Sequence, residues 1–177
     1  MKSRHLKNSI FISGLIALAV IASVQIPTAN SAVGQKAPDV TSPVWINGAP
    51  QRMSDLSGKV VLVEFWTFGC SNCRNVEPYV KAWHAKYAQR GVTIISVHSP
   101  EFPHESDIDN VRRYVKEHAI QHAVAIDNDF SVWNSYKNRF WPAFYLIDKR
   151  GMIRYTHIGE GAYSETERQI ENLLAEK

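Results

Sequence analysis

Val60-Val61-Leu62-Val63-Glu64-Phe65-Trp66-Thr67-Phe68-Gly69-Cys70-Ser71-Asn72-Cys73 decides how the chain is read. From Val60 to Trp66 the residues barely alternate between apolar and polar, the pattern of a central strand covered on both faces. Glu64 alone breaks that run. A tight turn follows, and from Ser71 a helix is expected to run to about Gln89, with Arg90-Gly91 as its stop. Cys70 and Cys73 therefore stand between a buried strand and the first turn of a helix, and they are the only cysteines in 177 residues. A pair two residues apart in that setting is a redox signature if the fold is an α/β one.

The flanking sequence supplies that condition. Val44-Trp45-Ile46 before Asn47-Gly48 predicts a short strand entering a turn. Residues 92–98 form a second apolar strand, ended by Ser99-Pro100. Residues 107–118 read as a helix with Ser106 as candidate cap and Ile108, Val111, Val115 and Ala119 along one side. Residues 123–126 are a short strand, and Asp127-Asn128-Asp129 leads into a brief helix. Residues 144–148 and 152–158, joined by Lys149-Arg150-Gly151, predict a hairpin. Residues 164–175 close the chain as a helix, with Ser164 and Glu167 spaced as a capping box. Pro78 lies inside the first helix, where a kink is expected because it has no amide hydrogen to donate. Strands alternating with helices and followed by a hairpin predict a layered α/β sheet, parallel at first and antiparallel at its far side.

Length and composition agree with one domain. With 45% hydrophobic and 21% charged residues the chain is ordinary globular material. A net charge of +3 without a lysine or arginine cluster beyond the amino terminus argues against a nucleic-acid partner. Lys2, Arg4 and Lys7 precede an apolar run over residues 10–26, and 27–32 is small and polar. That pattern predicts an export signal over 1–32, cut near Ser31 or Ala32, or else kept as an amino-terminal membrane anchor, with one domain over 33–177. Export places the domain in a periplasmic or otherwise oxidising compartment. A single cysteine pair closing so short a loop constrains the unfolded chain little, which favours chemistry over a structural staple. Zinc is disfavoured for want of further ligands at diagnostic spacing, and haem attachment because Arg74 rather than histidine follows the pair. No cofactor is expected beyond a redox-active Cys70–Cys73 disulfide.

Several separated motifs resemble one family. Phe65-Trp66 before Cys70-Ser71-Asn72-Cys73, and Trp141-Pro142 before a strand, resemble the active-site run and cis-proline loop of the thioredoxin fold. His98-Ser99-Pro100-Glu101-Phe102, Ala125-Ile126-Asp127-Asn128-Asp129 and Tyr155-Thr156-His157-Ile158-Gly159-Glu160-Gly161 are similar to its exported TlpA and ResA-like branch, above all to the periplasmic domain of DipZ-type proteins. The resemblance covers about residue 36 to the carboxyl end. It implies a thioredoxin-like three-layer α/β/α sandwich with a mixed central sheet. Gly69 stands where thioredoxins usually carry tryptophan, a change expected to open access to the thiol. DipZ-type proteins also carry a membrane electron-transfer domain, so the same role here implies a separate membrane protein as reductant.

An exported thiol–disulfide oxidoreductase that reduces disulfides of other envelope proteins is the leading expectation. Cys70 is its attacking thiolate, supported by the helix start, and Cys73 resolves the mixed disulfide. Glu64, on the strand face opposite Val63 and Phe65, matches the buried acid of thioredoxins; burial should raise its pKa and let it exchange a proton with Cys73. Trp141 and Pro142 are expected to form a substrate wall on which a peptide lies as an added strand. Gly69, Ser71, Asn72 and His98 are further candidates for substrate contact, His98 because it ends a parallel strand at the cysteine end of the sheet. His84, His118 and His122 are read as surface or packing residues, and Asp127 and Asp129 as helix caps. Two alternatives stand beside this reading. Thr67 and Cys70 have the Thr-x-x-Cys spacing of peroxide-reducing enzymes, without the proline expected at Val63, and a thiol pair can carry Cu(I).

Overall fold

The computed structural model describes residues 32–176; the segment read as signal or anchor, but for its last residue Ala32, lies outside them. Among the described residues no helix is long and apolar enough to cross a membrane. Six strands form one sheet: β1 (Trp45–Ile46), β2 (Val60–Trp66), β3 (Val92–His98), β4 (Ala123–Ile126), β5 (Ala143–Ile147) and β6 (Ile153–Ile158). Their spatial order is β1-β4-β3-β2-β5-β6. β2, β3 and β4 run parallel, while β5 is antiparallel to β2, β6 to β5 and β1 to β4. Four helices, α1 (Ser71–Tyr87), α2 (Ile108–Glu117), α3 (Ser131–Ser135) and α4 (Tyr163–Ala175), complete a thioredoxin-like mixed α/β fold.

β2 is central because every one of its seven residues is buried. Its alternation feeds two cores. Val61, Val63 and Phe65 pack with Val132, Trp133 and Tyr136 on one face, and Val60 and Leu62 meet α1 and α4 through Val76, Val80, Trp83 and Ile170 on the other. Each fully buried aliphatic or aromatic side chain contributes about 1.5–3 kcal/mol, so β2 is a stiff base for whatever its carboxyl end carries.

Two expected caps are replaced. α2 is capped by Asp107, whose carboxylate accepts the Asp109 N–H, rather than by Ser106. α4 starts at Tyr163 after Ala162 in the left-handed region, which puts Ser164 inside the helix. Glu167 then reaches across to Lys86 and the Tyr87 hydroxyl instead of closing a capping box. β6 begins one residue later than the hydrophobic pattern suggests, because the Met152 N–H is held by Asp148 in the turn.

Candidate active site

Cys70 occupies the N-cap of α1 in extended conformation, and its Sγ accepts the Cys73 N–H at 3.3 Å. A helix start offers free amide groups and a positive field, so a sulfur at the cap position is suited to carrying charge. Cys70 is partly exposed; Cys73, one turn on, is 3% exposed, and both thiols are free. Burial, then the hydrogen bond with Cys70, pushes the Cys73 thiol far above the usual thiol range; charges on Cys70 and Glu64 add to this, and an amide contact at Thr67 opposes it. The outer sulfur is accessible, and the inner one keeps its proton until a base removes it.

Glu64 lines the same small cavity as Cys73. It is 4% exposed, and its Oε2 accepts the hydroxyl of Ser96, its register neighbour on β3, at 2.5 Å. Burial lifts the carboxyl to about 7; the Ser96 bond opposes the rise and the charge of Glu77 adds to it. A cavity of about 10 Å³ lies between Glu64, Cys73, Glu77, Ser96 and His122. It has space for about one water, so Glu64 and Cys73 share one small chamber, closed on its other sides by Trp66, Val80 and Ile120.

The turn before Cys70 is held by a residue that sequence reasoning missed. Glu105 is fully buried, and its carboxylate accepts the N–H of Gly69 at 2.6 Å, of Glu101 at 2.6 Å and of Phe102 at 2.7 Å. Burial pushes its pKa up, but these amides and the Thr67 hydroxyl outweigh burial and hold it below the ordinary carboxylate range. A Cβ at Gly69 would lie 2.2 Å from Glu105 Oε1. Glycine at this position thus makes room for a carboxylate behind the turn, a physical reason distinct from the wider access to Cys70 expected of it. The local signal for the clamp was the turn Pro100-Glu101-Phe102-Pro103, but nothing in it names Gly69 as the partner.

His98 does not reach the substrate side. It is completely buried, its Nε2 lies 3.2 Å from Thr67 Oγ1, and its ring stacks on Phe68. Burial lowers its pKa to about 4, so the ring is neutral at physiological pH. Strand direction brought it to the correct end of the sheet, but the side chain turns inward. Thr67 is likewise fully buried.

Trp141 is brought to the cysteines from 68 residues further along the chain than Cys73. Cys73 packs with Trp66, Val111 and Val115, and Cys70, Phe68 and Trp141 lie against that cluster. The Trp141–Pro142 peptide bond is cis. The indole N–H donates to the Ser99 carbonyl at 3.0 Å and the ring meets Trp133 at 4.3 Å between centroids. Ser99 is in turn tied to Asp127 at 2.9 Å, whose carboxylate also takes the Val132 and Trp133 N–H groups. Asp129 holds the Ser131 N–H, so both aspartates act at the start of α3. Ser71 and Asn72 are exposed on the first turn of α1. Phe140 and Ile158, each 54% exposed, flank the proline loop. A larger cavity of about 500 Å³ runs beside Tyr136, Phe140 and Ile158, and neither cysteine lines it. Among the described residues no group of three or more His, Cys, Asp or Glu is placed to hold a metal ion.

Comparison with known proteins agrees with this arrangement. The profile of the AhpC/TSA family matches residues 33–156. The chain is 39% identical over 133 residues to the protein DipZ of Mycobacterium tuberculosis, covering 73% of this chain but only 19% of DipZ. It is 32% identical over 144 residues to the thiol-disulfide oxidoreductase ResA of Bacillus cereus, covering 80% of this chain and 76% of ResA. Among solved structures, a thiol-disulfide isomerase from Corynebacterium glutamicum superposes with a TM-score of 0.72 at 26% identity, over 80% of this chain and 98% of the other. A buried strand that delivers a partly exposed and a buried thiol to a helix start agrees with that family match over residues 33–156, and the chain belongs to the thioredoxin-like AhpC/TSA family.

Proposed function

We propose that the protein is exported and reduces disulfides of other envelope proteins, using Cys70 as nucleophile and Cys73 as resolving thiol. The observation that carries this reading is the asymmetry of the pair: Cys70 is partly exposed at the helix cap, and Cys73 is buried beside Glu64. The Cys70 thiolate attacks one sulfur of the substrate disulfide, forming a mixed disulfide and releasing the first substrate thiolate. Glu64 takes the Cys73 proton, directly or through the chamber, and the new thiolate displaces the substrate from Cys70. Two electrons pass to the substrate, and the protein is left with a Cys70–Cys73 disulfide. Trp141, Pro142 and the exposed residues Ser71 and Asn72 form the bed on which the substrate strand lies. A separate membrane electron-transfer protein returns the pair to the dithiol.

The test is the pH dependence of disulfide exchange in the Glu64→Gln variant. The wild-type resolving step should show an inflection near pH 7, from the raised carboxyl. The variant should lose the inflection and resolve at least tenfold more slowly, in line with a general-base contribution of ~10²–10⁴ at most. An unchanged profile removes Glu64 from the reaction.

A further inference from the structure

Glu64 stands at the end of a buried line of hydrogen bonds that the exchange reaction does not use. Ser96 Oγ lies 2.5 Å from Glu64 Oε2 and 2.8 Å from His122 Nε2. The three residues are 4%, 1% and 3% exposed. His122 Nδ1 is also buried and has no hydrogen-bond partner. The ring of His84 on α1 lies 5.6 Å away between centroids; the residue is partly buried, and its Nδ1 too is buried without a hydrogen-bond partner.

The line has two internally consistent states because the serine hydroxyl owns a single proton. With Glu64 ionised, Ser96 donates to Oε2; His122 must then donate from Nε2, and its Nδ1 is bare. With Glu64 protonated on Oε2, the carboxyl donates to Ser96 and Ser96 donates to Nε2, so the imidazole proton sits on Nδ1. One state becomes the other when a proton arrives at Nδ1, the Nε2 proton moves to Ser96, and the Ser96 proton moves to Glu64. Glu64 gains one proton, His122 changes tautomer without changing charge, and no other bond is altered. We propose that Ser96 and His122 form a proton line that exchanges protons with Glu64 through β3, with the His122 tautomer following the state of Glu64.

The surrounding groups permit this. From α1, Cys73 and Glu77 face Glu64, and Lys81 and His84 bear on His122. The register neighbour of Glu64 on β5 is Phe144, which has no ionisable group. Burial, aided by His84 and Lys81, keeps the His122 ring neutral, with its pKa lowered to about 3. Such a ring relays by changing tautomer rather than by storing charge. The line gives the proton that Glu64 takes from Cys73 an onward carrier within the fold. In this sense the inference rests on the role proposed for Glu64.

The fold also contains an internal control. Glu105, Thr67 and His98 make a second carboxylate–hydroxyl–imidazole series. There the carboxylate holds three backbone amides and stays ionised at neutral pH. Its histidine should therefore keep one tautomer, with the proton on Nε2, where that of His122 changes.

Nitrogen-15 spectra of the histidine rings and carbon-13 spectra of the Glu64 carboxyl in the reduced wild-type protein, from about pH 5 to about pH 9, test the line. The expected result is that His122 changes from the Nδ1–H to the Nε2–H form at the same midpoint as Glu64, while His98 stays Nε2–H. In Ser96→Ala, His122 should no longer follow Glu64. A single His122 tautomer throughout, a midpoint different from that of Glu64, or coupling that survives in Ser96→Ala overturns the proposal. Disulfide exchange by the same sample reports separately: an active protein with a fixed His122 tautomer overturns the proton line alone, and an inactive protein with a coupled one overturns only the proposed reaction.

Discussion

Glu64 shows how one residue can be both a fault in a strand and the reason for it. Its carboxyl is raised to about 7 by burial, above the ordinary value of 4.5 that applies to the unfolded chain. The folded state therefore binds the proton more tightly, and the stability associated with it is present below pH 4.5 and lost as pH rises through 7. A tenfold change in proton affinity is worth about 1.4 kcal/mol, so the loss is on the order of 3 kcal/mol. Glu64→Gln should thus gain that much on the wild type between acid and alkaline pH, measured by urea unfolding at each end. A difference that does not change with pH would place Glu64 in contact with water. The oddity of the residue was legible, since it is the one charged side chain in an apolar strand. Its partners were not: Ser96 lies 32 residues away from Glu64, and His122 a further 26 from Ser96. No local pattern links a serine in an apolar strand to a histidine before another; only the strand register does.

At the scale of elements, the site is two loops tied by one carboxylate. The turn between β2 and α1 carries Gly69 and Cys70, and the loop after β3 carries Ser99, Glu101, Phe102 and Glu105. Glu105 fixes the first loop through Gly69, and the Ser99 carbonyl fixes Trp141. Gly69→Ala should drive its methyl group into Glu105 and cost about 1–3 kcal/mol, the ordinary range for overpacking. Glu105→Ala loses three acceptor contacts and is also destabilising. The double variant should be less destabilised than the sum of the two, because the clash disappears with the carboxylate. Additive losses in thermal or urea unfolding would show that Gly69 is not kept for Glu105. The strands and the long α1 were legible because apolar runs and helix stops are local signals. The start of α4 shifted by a residue because it depends on a backbone turn, the left-handed Ala162, that side-chain types do not encode, whereas at α2 two adjacent capping residues, Ser106 and Asp107, were on offer and the carboxylate took the role.

Across the whole molecule, strand direction does most of the functional work. β2 and β3 run parallel, so their carboxyl ends bring Cys70 and the Ser99 loop together, and antiparallel β5 starts at the same end with Pro142 just before it. This end of the sheet was predictable from alternating strands and helices, whereas the arrival of Trp141 from far along the chain was implied only by the resemblance to the thioredoxin fold. Which way a side chain points at the last strand residue was not, and His98 turned inward to meet Thr67 and Phe68.

The central claim is that Cys70 attacks and Cys73 resolves. Incubating the reduced Cys73→Ser protein with a disulfide-bearing protein substrate, then mapping any adduct by mass spectrometry after blocking free thiols, tests it most directly. A mixed disulfide should accumulate at Cys70, none should form with Cys70→Ser, and the wild type should turn the same substrate over to free thiols. Turnover by the wild type without an adduct at Cys70 in Cys73→Ser, or reduction of the substrate by Cys70→Ser, would contradict the account.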